Sequence, residues 1–335
     1  MSTLRMIQCN INALINDFLH DENRVVVLTG PEKESVKPVS EEEVLAVLSE
    51  VENAEIEKYT EEEVRENLIT EMPAAGSIKD SKVNEELGIT TLTLNQPEKK
   101  NSLSMAMLEA LSEELAIIAS DSETRVVVLA AHGNVFCAGH DLRAVREQFD
   151  SHEFQLALFN QCSKVMQQIV NLPKPVIARV AGVATAAGCQ LVASCDLAVA
   201  EKGARFATPG VNIGLFCSTP MVALSRNVSR KHAMEMLLTG ELIDAARAEQ
   251  IGLINRAVEP EALDETVYGM ATTIAAKSGH TLKIGKEAFY KQLEMPLAHA
   301  YDYTANVMAE NMQANDAREG ISAFLDKRDP DWQHK

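Results

Sequence analysis

The stretch 176–220, VIARVAGVATAAGCQLVASCDLAVAEKGARFATPGVNIGLFCSTP, decides how this chain is read. Val176 to Val180 is an apolar run of strand length that meets Gly182. The small residues from Ala184 to Gly188 then lead into a segment that reads as a helix. A second apolar run, Leu197 to Ala200, precedes a loop that starts at Pro209 and is rich in Gly and hydroxyls. Small residues at a strand-to-helix turn let backbone come close to a ligand and leave first-turn N–H groups pointing outward. Such a turn suits the carbonyl oxygen of a substrate.

Upstream, the same kind of unit recurs. Ile89 to Leu94 alternates as a strand, NQPEKKNSLS follows as a turn, and Met105 to Ser120 is an amphipathic helix with Ser104 as its cap. Arg125 to Ala130 is a near-continuous apolar strand, the pattern of a sheet covered on both faces. The turn HGNVFCAGHDL, a helix from about His152 to Val170, and Pro173 and Pro175 complete the approach to Val176. This is a βαβ series, which predicts parallel pairing with right-handed crossovers. Beyond Pro220 the pattern is mainly helical as far as Lys327, broken only by the short apolar run Leu253 to Val258.

The N-terminal part differs in character. Residues 1–30 predict a helix, about Leu4 to Leu19, and a strand, Arg24 to Leu28. The strand matches Arg125 to Leu129 at a shift of 101 residues, as a partial copy of one helix–strand unit or a chance likeness of apolar strands. From Pro31 to Met72 there are fourteen Asp and Glu against four Lys and Arg. Capping-box patterns at Ser40–Glu43 and Thr60–Glu63 predict two short helices there. Pro73 to Glu86 reads as a linker. The expected organisation is therefore an extension over 1–86, a core over 87–260 and a helical region over 261–335.

The chain has 335 residues, 46% apolar and 24% charged, the composition of an ordinary globular protein. Its net charge of −18 argues against nucleic acid or an anionic membrane surface as partner, and no window is apolar enough to span a bilayer. The N-terminus lacks the features of a signal or transit peptide. Cytoplasm is the expected compartment, or the mitochondrial matrix in a eukaryote. Six cysteines show no CxxC spacing, so reduced buried thiols are expected and a zinc site is not.

Two glycine-bearing turns carry the candidate chemistry: Phe136-Cys-Ala-Gly-His-Asp141 and Ala184-Thr-Ala-Ala-Gly-Cys-Gln190. Each follows a predicted strand and opens toward a helix. Turns from adjacent parallel strands can aim two N–H groups at one oxygen, an oxyanion hole suited to a thioester carbonyl. No GxGxxG or GxxxxGK[ST] pattern occurs to support a nucleotide-binding fold.

LNQPEKKNSLS, VFCAGHDL, the block 182–196, FATPGVNIGL, MLLTGELIDAARAEQIGLINRAV and EGISAFLDKRDP together resemble the crotonase (enoyl-CoA hydratase/isomerase) superfamily. The likeness covers about Leu87 to Trp332, with every block in family order. It implies an α/β fold with a ββα spiral core and a C-terminal helical trimerisation region, to which this chain adds its acidic helical N-terminal extension. It also implies homotrimers or hexamers, and an acyl-CoA thioester as partner, with coenzyme A entering as part of the substrate and no other cofactor.

Carried over by position, the oxyanion donors fall on the N–H groups of Ala138 and Ala187. The two glutamates of hydratase members fall on Gln190 and Gly210. Hydration needs a carboxylate to activate water and an acid to protonate the α-carbon, and neither an amide nor a hydrogen does this. Two-glutamate hydratase chemistry is therefore not expected here. His140 offers a base or lines the CoA channel, and Asp141 orients its loop. Lys99, Lys100, Asp141, Leu142, Asn212, Phe324 and Lys327 are the expected CoA and substrate contacts, whereas Asp196 reads as structural. Cys217 as a nucleophile would need a lowered pKa and a base. The resulting expectation is a hydratase/isomerase-like protein of acyl-CoA or fatty-acid metabolism that stabilises a thioester enolate. The alternatives are a non-catalytic acyl-CoA-binding or regulatory protein and an acyl-CoA thioester hydrolase.

Overall fold

The computed structural model describes residues 87–335 throughout, the backbone of 78–84, and Ser40, Glu42 and Ala46 before them. The chain divides into two units, Met1–Leu68 and Ile69–Lys335. Glu42 and Ala46 are helical, after the capping box expected at Ser40. The helix and strand expected over 1–30, the partial repeat and the second acidic helix lie outside the described residues.

The second unit is built on a six-stranded sheet in the order β1-β2-β3-β5-β7-β10. Its strands are β1 (Ile78–Asn84), β2 (Ile89–Leu94), β3 (Val126–Ala131), β5 (Val176–Val180), β7 (Leu197–Glu201) and β10 (Arg256–Val258). From β2 to β10 every neighbouring pair is parallel, as the βαβ series predicts. β1 corrects the linker reading, because Ile78–Asn84 pairs antiparallel with β2 across a bulge between Lys79 and Lys82. An edge strand bonds to one neighbour only and tolerates lysines, so the polar stretch IKDSKVN carries no apolar alternation to announce it.

The apolar strands are buried on both faces by alternation. Val127 and Leu129 of β3 join the larger core with α1 (Met105–Ser120) and α3 (His152–Asn171). Val126 and Val128 instead join Leu263, Val267 and Ala271 of α8 (Leu263–Ala275). Ser104 and Ser151 cap α1 and α3, each hydroxyl accepting an N–H at 3.2 Å from Met107 and Phe154.

A second sheet lies in the order β4-β6-β8-β9, with β4 (Val135–Cys137), β6 (Val183–Thr185), β8 (Arg205–Ala207) and β9 (Ile243–Asp244). Each winding of the chain thus gives one strand to each sheet before a helix follows: β3 and β4 precede α2 (Leu142–Glu147) and α3, and β5 and β6 precede α4 (Ala187–Ser194). This is the ββα spiral that the motifs implied. Helices α5 (Pro220–Asn227), α6 (Arg230–Thr239) and α7 (Ala245–Gln250) cover the end of the spiral, and α9 (Gly279–Leu293), α10 (Leu297–Asn311) and α11 (Asn315–Asp326) follow α8. No helix among the described residues is long and apolar enough to cross a membrane.

A buried ion pair ties this helical region to the spiral. The Lys286 ammonium of α9 donates to Asp196 Oδ2 at 2.6 Å and to the carbonyls of Ile169 and Lys174. Asp196 also accepts the Tyr290 hydroxyl at 2.9 Å and the Val176 N–H at 2.7 Å. The Lys286 side chain is only 8% exposed, and burial lowers its pKa against the pull of Asp196. Removing one partner of such a pair leaves an uncompensated buried charge. Asp196→Ala should therefore lose about 3 kcal/mol in urea denaturation, and Asp196→Ala with Lys286→Met should recover part of that loss. Equal losses in the single and double variants would show that the pair does not hold the helices.

Candidate active site

Three strand ends of the second sheet meet where the site forms. β6 ends at Thr185, and Ala186 then adopts φ 51° and ψ −118°, a conformation L-residues seldom take, before α4 starts at Ala187. The Ala186 N–H bonds the Ala207 carbonyl of β8 at 2.9 Å. The Thr185 hydroxyl bonds the Ala138 carbonyl beyond β4 at 3.2 Å. The first turn of α4 is pressed against that same segment. A Cβ on Gly188 would lie 2.1 Å from the Cys137 carbonyl oxygen, so only glycine permits the approach. A Cβ on Gly139 would lie 2.9 Å from the Ala186 Cβ and 3.4 Å from the Ala187 nitrogen, which places the two turns face to face.

A third segment fixes the first turn from the other side. Asn101 is fully buried with φ 49°, and its Nδ2 donates to the carbonyls of His132 and Val135 at 2.8 Å each, while its Oδ1 accepts the Gln96 N–H. The segment is thereby laid along the turn, with Ala138 N–H to Lys100 O at 3.1 Å and Leu103 N–H to Gly139 O at 2.8 Å. Sequence reasoning read this stretch as a turn and missed Asn101 as its anchor. The signal available was an Asn in a Lys-Lys-Asn turn, a residue that tolerates left-handed backbone.

This arrangement corrects the expected donor at Ala138. Its N–H is already committed to Lys100, and the Gly139 N–H is directed at the Cys137 sulfur. The His140 N–H has no acceptor among the described residues, nor does that of Ala187, which stands in the first turn of α4 before the ladder begins with Gln190 N–H to Ala186 O. His140 and Ala187 are therefore among the N–H groups of the two turns that have no acceptor among the described residues, as are Gly188 and Cys189 behind Ala187 in the first turn of α4.

A model of the enoyl-CoA hydratase/isomerase family matches residues 84–335. The chain belongs to that family. Among its relatives, human enoyl-CoA hydratase domain-containing protein 3, mitochondrial, is 48% identical over 248 residues, 74% of this chain and 82% of the relative. The Xenopus laevis protein of the same name is 45% identical over 252 residues, 75% and 85% of the two chains. A solved enoyl-CoA hydratase from Mycobacterium smegmatis superposes with a TM-score of 0.72 at 54% identity, covering 74% of this chain and 96% of that one. The solved human domain-containing protein 3 gives a TM-score of 0.71 at 48% identity, covering 73% and 96%.

Within this family fold, the positions expected to hold the glutamates are occupied differently. Gln190 is buried on α4, and the Cys162 thiol of α3 approaches its Oε1 at 4.0 Å. Gly210 is closed off by the loop behind it. A Cβ there would lie 2.7 Å from the Leu215 carbonyl and 2.9 Å from the Cys217 sulfur, and the Gly210 N–H points to that sulfur at 3.4 Å. Burial raises the Cys217 thiol, and burial pushes Cys137, Cys162 and Cys189 up to about 12, so the cysteines around the site are neutral. Cys217 therefore lacks what a nucleophile requires, a thiolate at working pH.

The His140 ring is held by Nδ1 at 3.1 Å from the Leu103 carbonyl and stands edge-on to Phe159, with centroids 5.3 Å apart. A carbonyl only accepts, so Nδ1 carries the proton and Nε2 the lone pair. Burial lowers the His140 pKa, which keeps the ring neutral at pH 7. Nε2 is buried without a partner, and so is the hydroxyl of Thr208, the residue after Ala207.

The remaining expected contacts fall into two groups. Asp141 caps α2, its Oδ1 accepting the N–H groups of Arg143 and Ala144, and the Asn212 amide donates to the Gly240 carbonyl at 3.4 Å, so both hold local structure. Lys99, Lys100 and Leu142 are exposed near the turns, while Phe324 is 81% exposed on α11 and Lys327 closes that helix in left-handed backbone.

Two substitutions test the geometry of the turn. Ala186→Gly should relieve backbone strain and raise stability by about 1 kcal/mol. Gly188→Ala forces apart the contact with Cys137 and should lower the melting temperature by several degrees, roughly the effect of 1–3 kcal/mol of overpacking. A thermal melt checks both, and a stabilised Gly188→Ala would refute the close approach.

Proposed function

We propose that this chain binds acyl-CoA thioesters and stabilises the enolate of the bound acyl group through the N–H groups of His140 and Ala187. The observation that carries the reading is that His140 and Ala187, each with an unengaged backbone N–H, stand on two turns packed together where Gly139 approaches Ala186 and Ala187. Such donors are oriented before charge develops, and one of them contributes on the order of 10² to 10³ in rate. Neither expected acid position carries a carboxylate: Gln190 replaces one acid, the loop 215–217 fills the space of the other, and the neighbouring thiols are protonated. That supports an enolate-stabilising site and not two-glutamate hydration.

Lys99 and Lys100, with Phe324 and Lys327 of α11, would meet the CoA moiety, and Leu142 the mouth of the acyl site; a protein of net charge −18 needs such local cations against phosphates. The expected role is in acyl-CoA or fatty-acid metabolism. The names of the relatives place them in mitochondria, which supports the matrix as compartment if the host is eukaryotic.

Calorimetry with crotonyl-CoA tests the binding, and loss of enoyl-thioester absorbance tests hydration. Binding at micromolar concentration with little hydration is expected, and Gln190→Glu should raise hydration while Gly210→Glu should unsettle the fold without doing so. An absence of binding to any CoA ester would sink the reading.

An assembly of three or six copies accompanies this proposal. Leu297, Tyr301, Phe324 and Leu325 of α10 and α11 are each more than 70% exposed, an apolar display that a partner copy would cover. Light scattering on the eluted full-length chain should give a mass near three or six times 36.6 kDa. A monomer would contradict it.

A further inference from the structure

A buried polar atom without a partner leaves its desolvation uncompensated, and its retention calls for a reason such as a bound ligand. Among the described residues, two such atoms lie at the turns around Ala187: Nε2 of His140 and the Thr208 hydroxyl. Thr208 is 1% exposed and follows Ala207, whose carbonyl fixes Ala186. His140 supplies the unengaged N–H as well. Its ring and the Gln190 amide meet Phe159 and Cys162 respectively, three residues apart on one face of α3. The imidazole and the amide therefore both border α3, at positions one turn of that helix apart. Phe159, which stands edge-on to the imidazole, is itself 37% exposed.

We propose that the imidazole of His140, in the place of a carboxylate, is the base that moves the α-proton of the bound acyl-CoA. The proposal rests on the acyl-CoA reading above and names its reaction class: proton exchange by a single base. Nε2 takes the proton from the α-carbon and becomes imidazolium. The C–H electron pair forms the C=C of the enolate, and the negative charge moves to the thioester oxygen between the N–H groups of His140 and Ala187. The imidazolium then returns a proton to the α-carbon, or to the γ-carbon when the acyl group is a β,γ-enoyl chain. Nothing is consumed, and no second acid is needed. Hydration, by contrast, needs a base for water together with an acid for the α-carbon, and the neutral amide of Gln190 and hydroxyl of Thr208 transfer no proton near pH 7.

The hydrogen bond of Nδ1 to Leu103 supports this assignment, because it fixes the tautomer that leaves Nε2 as acceptor. Burial adds to it by keeping the ring unprotonated in the resting chain.

Butyryl-CoA in D2O separates this proposal from its alternatives, since a saturated acyl group is neither hydrated nor isomerised. The full chain should introduce deuterium at the α-carbon, read by mass spectrometry. His140→Asn keeps an amide N–H for the Leu103 carbonyl and removes the base. It should slow exchange by about 10² or more, the usual contribution of a general base, with butyryl-CoA affinity by calorimetry changed less than about threefold. His140→Gln is the second variant, with circular dichroism to confirm folding. Exchange that survives in both folded variants overturns the proposal. So does a wild-type chain that binds butyryl-CoA without exchange, or one that releases free CoA thiol instead, which would mark a thioester hydrolase. A chain that does not bind butyryl-CoA defeats the acyl-CoA reading itself, an outcome distinct from binding without exchange.

Discussion

The contact on which the rest depends is the backbone approach of Gly188 to Cys137. It brings the first turn of one helix within a few ångströms of the end of a neighbouring strand, with no side chain between them. First-turn N–H groups of a helix have no intrahelical partner, so the approach leaves polar backbone where the two segments meet. Ala186 bears a strained conformation as the cost of that geometry. Its N–H bond to Ala207 and the Thr185 bond to Ala138 keep the turn from relaxing.

Rigidity on the other side comes from an unrelated part of the chain. Asn101, buried and held by three hydrogen bonds, lays residues 96–103 along the turn that contains His140. That segment takes the N–H of Ala138 and, through Leu103, both the Gly139 carbonyl's bond and the His140 tautomer. One buried amide thus decides which backbone donor stays unengaged and which imidazole nitrogen is the acceptor. The exposed side chains of Lys99 and Lys100 take no part in either bond, because it is the Lys100 backbone carbonyl that accepts the Ala138 N–H.

The electrostatic character of the site follows from what is absent around it. With Gln190 and Gly210 at the expected acid positions, and thiols whose burial keeps them protonated, the carboxylate next to the turns is that of Asp141, whose Oδ1 is engaged by the N–H groups of Arg143 and Ala144. A buried ion pair of the chain, Lys286–Asp196, lies apart from these turns, and its Lys286 and Tyr290 bonds attach α9 to the spiral.

The sequence by itself determined the spiral, its parallel pairing and the family. Apolar runs such as Val126–Ala131 are long enough to be unmistakable, and the hydroxyl caps at Ser104 and Ser151 mark helix starts locally. It determined, too, that Gln190 and Gly210 are not acids. The tertiary structure alone decided that Ile78–Asn84 is a strand, because an edge strand takes its conformation from the neighbour it bonds to. It alone moved the unengaged donor from Ala138 to His140, since the competing acceptor, the Lys100 carbonyl, is 38 residues distant in the chain. The closure of Gly210 by Leu215 and Cys217 was likewise hidden, because residue identity tells which atoms are present and only folding tells which atoms already have partners.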